Sequence, residues 1–129
     1  MIVGVGTDII EIARVKAAVM KHKTFLERVF SPEEISYFRT RKDNYASLAA
    51  TFAGKEAVSK VLGTGFRRMK WTDIEISRDP SGKPHVLLRG GAQTIAGELG
   101  IVRILVSLSH SGENALAYAI GLSEEKGES

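Results

Sequence analysis

Cysteine is absent from this sequence. Its absence excludes disulfides, thiolate metal centres and cysteine nucleophiles, and it fits a reducing compartment. Long apolar runs are missing too. None approaches the roughly 20 residues needed to span a bilayer, so no membrane partner is expected. Met1-Ile2-Val3 leads straight into a strand pattern. With no basic leader or cleavage site ahead of it, the expectation is a cytoplasmic protein. There is no internal repeat, no low-complexity linker and no Walker A pattern. Gly4-x-Gly6 follows a strand, yet Ile9 stands where a dinucleotide turn needs its third glycine, which argues against a Rossmann site. Ser109-His110-Ser111 lacks a nucleophile elbow, and neighbours on a strand point to opposite faces, so a serine hydrolase is disfavoured.

What is present has an ordinary globular composition. The 129 residues suit one domain with a real core, and 43% hydrophobic content is typical of a folded protein. The net charge of +3 is mildly basic and fits an anionic ligand or an acidic partner. Residues 2–9 pattern as a buried strand, and 11–22 as a helix with Ile12, Val15, Val19 and Met20 on its apolar side. Ser31-Pro32-Glu33-Glu34 starts a second helix: Ser31 caps, Pro32 suits the first helical position and Glu34 completes a capping box. That helix should end near Arg41. Asp43 or Asn44 then caps a longer helix that runs to Leu62 and stops at Gly63. Trp71 to Ile76 is expected as a strand, Asp79-Pro80-Ser81-Gly82 as a turn and His85 to Leu88 as the returning strand. A short helix over 92–99 ends at Gly100. A last hairpin, Arg103 to Ser109 and Ala115 to Leu122, turns at His110-Ser111-Gly112-Glu113. This order predicts an α+β fold: one domain over residues 1–122, with a mostly antiparallel sheet packed against the long helix. Residues 123–129 form a polar tail.

Two carboxylates break these patterns. Asp8 closes the first strand and Glu56 sits inside the run Leu48 to Val58, each where an apolar or small side chain is expected. A half-buried carboxylate is costly unless a cation or hydrogen-bond donors meet it. Two from different elements suggest a hard cation and hence phosphate chemistry. The alternative is two separate structural acids, one capping and one salt-bridged. At about 100° per residue, Ala49, Phe52, Ala53 and Ala57 mark one apolar sector of the long helix, with Glu56 and Lys60 inside it and Lys55 and Ser59 nearer its edge. Glu56 and Lys60 are four apart and can pair on the helix surface, or they can face a shared pocket that small neighbours leave open. Gly63-Thr64-Gly65 follows a helix C-terminus and so lacks the dipole that favours anions. It is either a plain helix stop or a turn that lets backbone approach a diphosphate. His110 fits a ligand contact, a proton shuttle or an ordinary turn histidine. Arg14, Lys16, Lys21, His22, Lys23 and Arg28 concentrate positive charge, offset only by Glu11 and Glu27. That excess suits an acidic protein partner or nucleic acid, although Phe25 and Phe30 are too few aromatics for a single-strand stacking platform.

Gly4-Val5-Gly6-Thr7-Asp8-Ile9, then Phe52-Ala53-Gly54-Lys55-Glu56-Ala57-Val58-Ser59-Lys60, then Gly63-Thr64-Gly65 together resemble holo-[acyl-carrier-protein] synthase, the small bacterial type of 4′-phosphopantetheinyl transferase. Gly82-Lys83-Pro84 and Ser107-Leu108-Ser109-His110-Ser111 match as well, so the resemblance runs from Met1 to about Leu122. It implies transfer of 4′-phosphopantetheine from coenzyme A to a serine of apo acyl carrier protein, with release of adenosine 3′,5′-bisphosphate, in support of fatty acid biosynthesis. It also implies that Asp8 and Glu56 bind Mg²⁺, that Lys60 contacts phosphate, and that these three residues are catalytic. Gly63, Thr64 and Gly65 would lie along the diphosphate or the adenosine end. Pro84 and His110 would line the nucleotide pocket, His110 from a neighbouring subunit. Arg14, Lys21 and Arg28 would meet the acidic recognition helix of the carrier protein. A homotrimer with active sites at subunit interfaces is implied; larger relatives fuse two such halves in one chain, so self-association would complete the site in this single half. Gly54 stands where alanine is common in the family and should weaken its helix by about 0.5–1 kcal/mol.

On that resemblance a carrier serine attacks the diphosphate in line, Mg²⁺ neutralises the leaving bisphosphate and Lys60 adds a fixed positive charge. The proton acceptor is a metal-bound water, Glu56 or a water near Asp8. A water is favoured, because a metal-bound carboxylate is a weaker base than a free one. Two other classes compete: a nucleic-acid-binding module using the basic segment, and a Mg²⁺-dependent phosphohydrolase using the same two acids.

Overall fold

Glycine and alanine decide how closely the first strand and the long helix approach. The computed structural model describes residues 1–42 and 44–124. Strand β1 (Ile2–Glu11) pairs antiparallel with β5 (Asn114–Ser123), and β5 pairs antiparallel with β4 (Ile101–Ser111), giving the sheet order β1-β5-β4. Asp8 lies opposite Ala117, which lies opposite Leu108. Helix α4 (Asn44–Leu62) covers one face of this sheet, over the fully buried Ala115, Ala117 and Ala119. A methyl group at Gly6 would fall 2.1 Å from the Ala57 carbonyl oxygen. The glycine pair in β1 therefore serves close strand–helix contact, not a nucleotide turn. Gly54 is a second close approach. A methyl group there would meet Ile76 Cδ1 at 2.4 Å and Leu108 Cδ2 at 2.9 Å. The expected cost of Gly54 to helix stability is thus set against close packing of the Ile76 and Leu108 side chains, whose ends would have to shift to admit a methyl group.

Around this layer stand α1 (Ile12–Lys21), α2 (Phe25–Val29), α3 (Pro32–Thr40) and α5 (Gly90–Leu99), with a second antiparallel sheet of β2 (Ile74–Arg78) and β3 (Pro84–Leu88). The capping box at Ser31 and Glu34 forms as expected, Arg41 is the C-cap of α3, and α4 ends at Leu62 before Gly63, whose φ is +80°. Asp43, one of the two expected caps of α4, lies outside the described residues, as do residues 125–129 of the tail. β5 runs past the expected domain boundary to Ser123, whose N–H donates to the Met1 carbonyl at 2.9 Å.

Other expectations are corrected. Trp71 to Asp73 is a 3₁₀ turn and the strand begins at Ile74, because the Asp73 carboxylate accepts the Lys70 N–H at 3.0 Å and the Gly91 N–H at 3.1 Å and holds a turn there. Met20 is exposed rather than on the apolar side of α1. Helix α2 carries no periodic signal in its five residues. His110 and Ser111 belong to β4, and the hairpin turns on Gly112-Glu113 alone. From Leu48 to Leu62 every residue of α4 is buried except Phe52, Glu56 and Lys60. The apolar sector is therefore almost the whole helix. Lys55 and Ser59 sit in the core, while Glu56 and Lys60 fall on the narrow stripe that opens outward.

Candidate active site

The open stripe of α4 faces β1 at the sheet edge. Phe52, Glu56 and Lys60 are spaced by four, so their side chains stack along one line of the helix. Asp8, Glu56, Phe52, Ile9, Arg14, Val15 and Phe25 line one cleft of about 380 Å³. Asp8 is half-buried, with a side chain 19% exposed, whereas that of Lys60 is 53% exposed. Lys60 Nζ donates to the Thr7 carbonyl at 2.8 Å and to Asp8 Oδ1 at 3.4 Å. It makes no ion pair with Glu56 among the described residues, so of the two alternatives the pair along the helix surface is not formed, and Lys60 pairs across to the strand. Burial pushes the Glu56 carboxyl above its ordinary range, the neighbouring Asp8 charge pushes it further, and Lys60 partly offsets both.

Asp8 and Glu56 are hard oxygen donors in one cleft. Among the described residues no third histidine or acid joins them. A magnesium ion fits such a pair, because it is commonly held by one or two carboxylates and completes its shell with water and substrate phosphate. Gly63 (φ +80°) and Gly65 (φ +61°) flank Thr64 just past the end of α4, three and five residues after Lys60, with open space where side chains would be. Arg14 lines the cleft itself, while Lys21 and Arg28 are exposed on α1 and α2.

Pro84 and His110 stand elsewhere. His110 ends β4, separated from β1 by β5, so it is about 10 Å across the sheet at the usual strand spacing. It lines a second cleft of about 610 Å³ with Tyr37, Arg41, Lys42 and Arg78. Pro84 lines a third, of about 700 Å³, between β3 and β4. One copy of the chain therefore does not bring these two residues to Asp8 and Glu56.

The 4′-phosphopantetheinyl transferase superfamily matches residues 4–119. The holo-[acyl-carrier-protein] synthase of Clostridium kluyveri is 50% identical over 120 residues, covering 93% of this chain and 90% of that protein. The chain belongs to the 4′-phosphopantetheinyl transferase superfamily. Solved structures of synthases from this superfamily share its fold. The Plasmodium yoelii acyl carrier protein synthase with ADP bound superposes with a TM-score of 0.86 at 34% identity, covering 97% of this chain and 98% of that one. The Helicobacter pylori holo-[acyl-carrier-protein] synthase in complex with coenzyme A gives 0.81 at 34% identity, covering 92% and 100%.

Two features of this transferase escape the sequence. Lys55 is fully buried, ion-paired to Glu34 Oε1 at 2.8 Å, and donates to the carbonyls of Trp71 and Ile74. Its only sequence signal is the capping-box role of Glu34, which says nothing of a partner 21 residues away. Arg78 crosses to α4, where its Nη2 donates to Thr51 Oγ1 at 3.1 Å, and it lies over the Tyr37 ring on the wall of the second cleft, which no acid lines among the described residues. Its position on a strand end next to a turn carries no such signal.

Proposed function

We propose that this chain transfers 4′-phosphopantetheine from coenzyme A to a serine of apo acyl carrier protein, using Asp8, Glu56 and Lys60 as its working residues. One observation carries the assignment of residues: carboxylates from β1 and α4 line one cleft, with the Lys60 ammonium bonded to one of them, in a chain half identical to a holo-[acyl-carrier-protein] synthase. Asp8 and Glu56 would hold Mg²⁺, which when bound supplies positive charge against the diphosphate. Lys60, half-exposed at the end of the open stripe, is free to turn its ammonium toward phosphate oxygens and stabilise charge on the leaving bisphosphate. Gly63, Thr64 and Gly65, with no side chain projecting from either glycine, let the backbone lie along the donor. A water near Asp8, in preference to Glu56 itself, takes the serine proton.

Arg14 on the wall of the cleft, with Lys21 and Arg28 exposed nearby in sequence, supplies positive charge for an acidic carrier protein. The site is completed by a second copy. Pro84 and His110 lie toward the far edge of the sheet from Asp8. The uncovered sheet face exposes Val5, Ile9, Leu105, Leu116 and Tyr118, an apolar patch of the kind that marks an interface. A homotrimer closed on this face would bring a neighbour's His110 to the donor. No helix among the described residues is long and apolar enough to cross a membrane; the proposed setting is cytoplasmic fatty acid biosynthesis.

The test is mass spectrometry of apo carrier protein incubated with coenzyme A and Mg²⁺. The wild-type chain should add one phosphopantetheine, and Asp8→Asn or Glu56→Gln should add none while keeping a native circular dichroism spectrum. Full modification by either variant overturns the site. Bisphosphate release without carrier protein would instead identify a phosphohydrolase. Arg14→Glu should raise the KM for carrier protein and spare that for coenzyme A.

A further inference from the structure

Lys60 is held by two groups of β1. One is the backbone carbonyl of Thr7, at 2.8 Å. Among the described residues β1 pairs only with β5, as an edge strand, and an edge strand leaves alternate backbone groups without a ladder partner. Lys60 takes one of these. The second group is Asp8 Oδ1, at 3.4 Å. The carbonyl is fixed by the sheet and anchors the ammonium, while the carboxylate is the weaker, longer contact. Glu56, on the same face of α4, has no cationic partner within ion-pair distance among the described residues. Arg14 lines the same cleft, but among the described residues only Lys60 comes within ion-pair distance of either acid, and it sits on one oxygen of the carboxylate that a cation would use.

We propose that Lys60 is the resident counter-ion of Asp8, and that it leaves Asp8 for phosphate only when a cation and a diphosphate arrive together. This rests on the assignment of Asp8 and Glu56 as cation ligands made above. A bare divalent cation must displace the ammonium or accept its repulsion, with nothing to receive it. A diphosphate gives the freed ammonium an anionic partner within reach of the same flexible, half-exposed side chain. The lysine thereby couples the two binding events, and it disfavours occupation of the site by a cation that brings no donor substrate.

The experiment measures Mn²⁺ binding by the loss of its free electron paramagnetic resonance signal, with and without coenzyme A and with no carrier protein present. Lys60→Met should bind Mn²⁺ alone at least about threefold more tightly than the wild type, within the range that an exposed ion pair supports. It should also lose most of the enhancement that coenzyme A gives. Lys60→Arg, which keeps the charge, should stay close to wild type, and Lys60→Gln provides a second neutral variant should the methionine variant fold poorly. If both neutral variants bind Mn²⁺ alone no better than wild type, while the wild type binds it with coenzyme A, the counter-ion proposal is overturned and the metal site stands. If Asp8→Asn binds Mn²⁺ as the wild type does, or if no protein binds it in either condition, the assignment of the metal site fails, and the counter-ion proposal with it.

Discussion

Lys55 and Glu56 are neighbours on α4, yet one is sealed in the core and the other opens on a cleft. Lys55 is saturated: Glu34 and the carbonyls of Trp71 and Ile74 surround its ammonium. Glu34 is saturated as well, accepting the Ser31 and Ile76 N–H groups at 2.8 Å each. Burial alone would neutralise both partners, pushing the Glu34 carboxyl up and the Lys55 ammonium down, and each partner opposes the shift of the other. Glu56 has a neighbouring like charge and only indirect relief from Lys60. The difference teaches how to tell two kinds of buried charge apart. A structural ion pair has its hydrogen-bonding capacity used up by the fold. A binding site holds charge that the fold leaves unmatched.

The largest effects should separate the two neighbours outright. Glu56→Gln should abolish transfer, while urea denaturation finds its stability within about 0.5 kcal/mol of wild type, as for other partly exposed positions. Lys55→Met should do the reverse at the level of folding, costing about 3–5 kcal/mol because it leaves Glu34 buried without its cation. Equal losses of stability in the two variants would break the comparison. Next, Gly6→Ala should cost about 1–3 kcal/mol, the usual penalty of overpacking. Its methyl group strikes the Ala57 backbone, so α4 must move off β1. Transfer should fall as well, because the same shift parts Asp8 on β1 from Glu56 on α4, the two acids of the cleft. Retention of full activity would show that the site tolerates a looser strand–helix contact.

The smallest effect concerns a third acid, which is saturated but exposed. Asp79 accepts the Ser81 and Lys83 N–H groups at 2.9 Å each and pairs with His85 Nε2 at 3.1 Å. The Ser81 hydroxyl, His85 and these backbone donors hold its carboxyl well below the ordinary range. A depressed carboxylate stabilises the fold above its unfolded pKa and loses that contribution as pH falls through the folded value. Asp79→Ala should therefore melt slightly below wild type at neutral pH. The gap should narrow as the pH drops below about 4, near the unfolded Asp pKa. A gap that widens on acidification would refute the assignment.

Much of the fold was legible because its signals are local. The capping box at Ser31, the left-handed glycine after Leu62 and the one at Gly100 each act within a few residues. Asp8 and Glu56 were legible as exceptions to pattern. The orientation of α4 was not, because periodicity carries little information on a helix buried nearly all round: it puts Lys55 at the edge and Glu56 in the apolar sector, and the structure exchanges them. The sequence pattern starts the turn at His110, whereas Gly112-Glu113 is by itself an adequate two-residue hairpin loop with glycine first. The strand simply extends farther than its hydrophobic pattern does, since Ser109, His110 and Ser111 are exposed.

By itself the sequence determined the element order, the helix ends, the α+β class and the identity of the unusual acids, since these depend on short-range sterics, capping hydrogen bonds and the side chain present at each position. Only the tertiary structure decided which charges are matched. Lys55 is neutralised by Glu34 from another helix, Lys60 turns from Glu56 to Thr7 and Asp8 across a contact that Gly6 permits, and His110 ends on the opposite edge of the sheet. The energy of a charge depends on burial and on partners distant in sequence, and those are known only once the chain has folded.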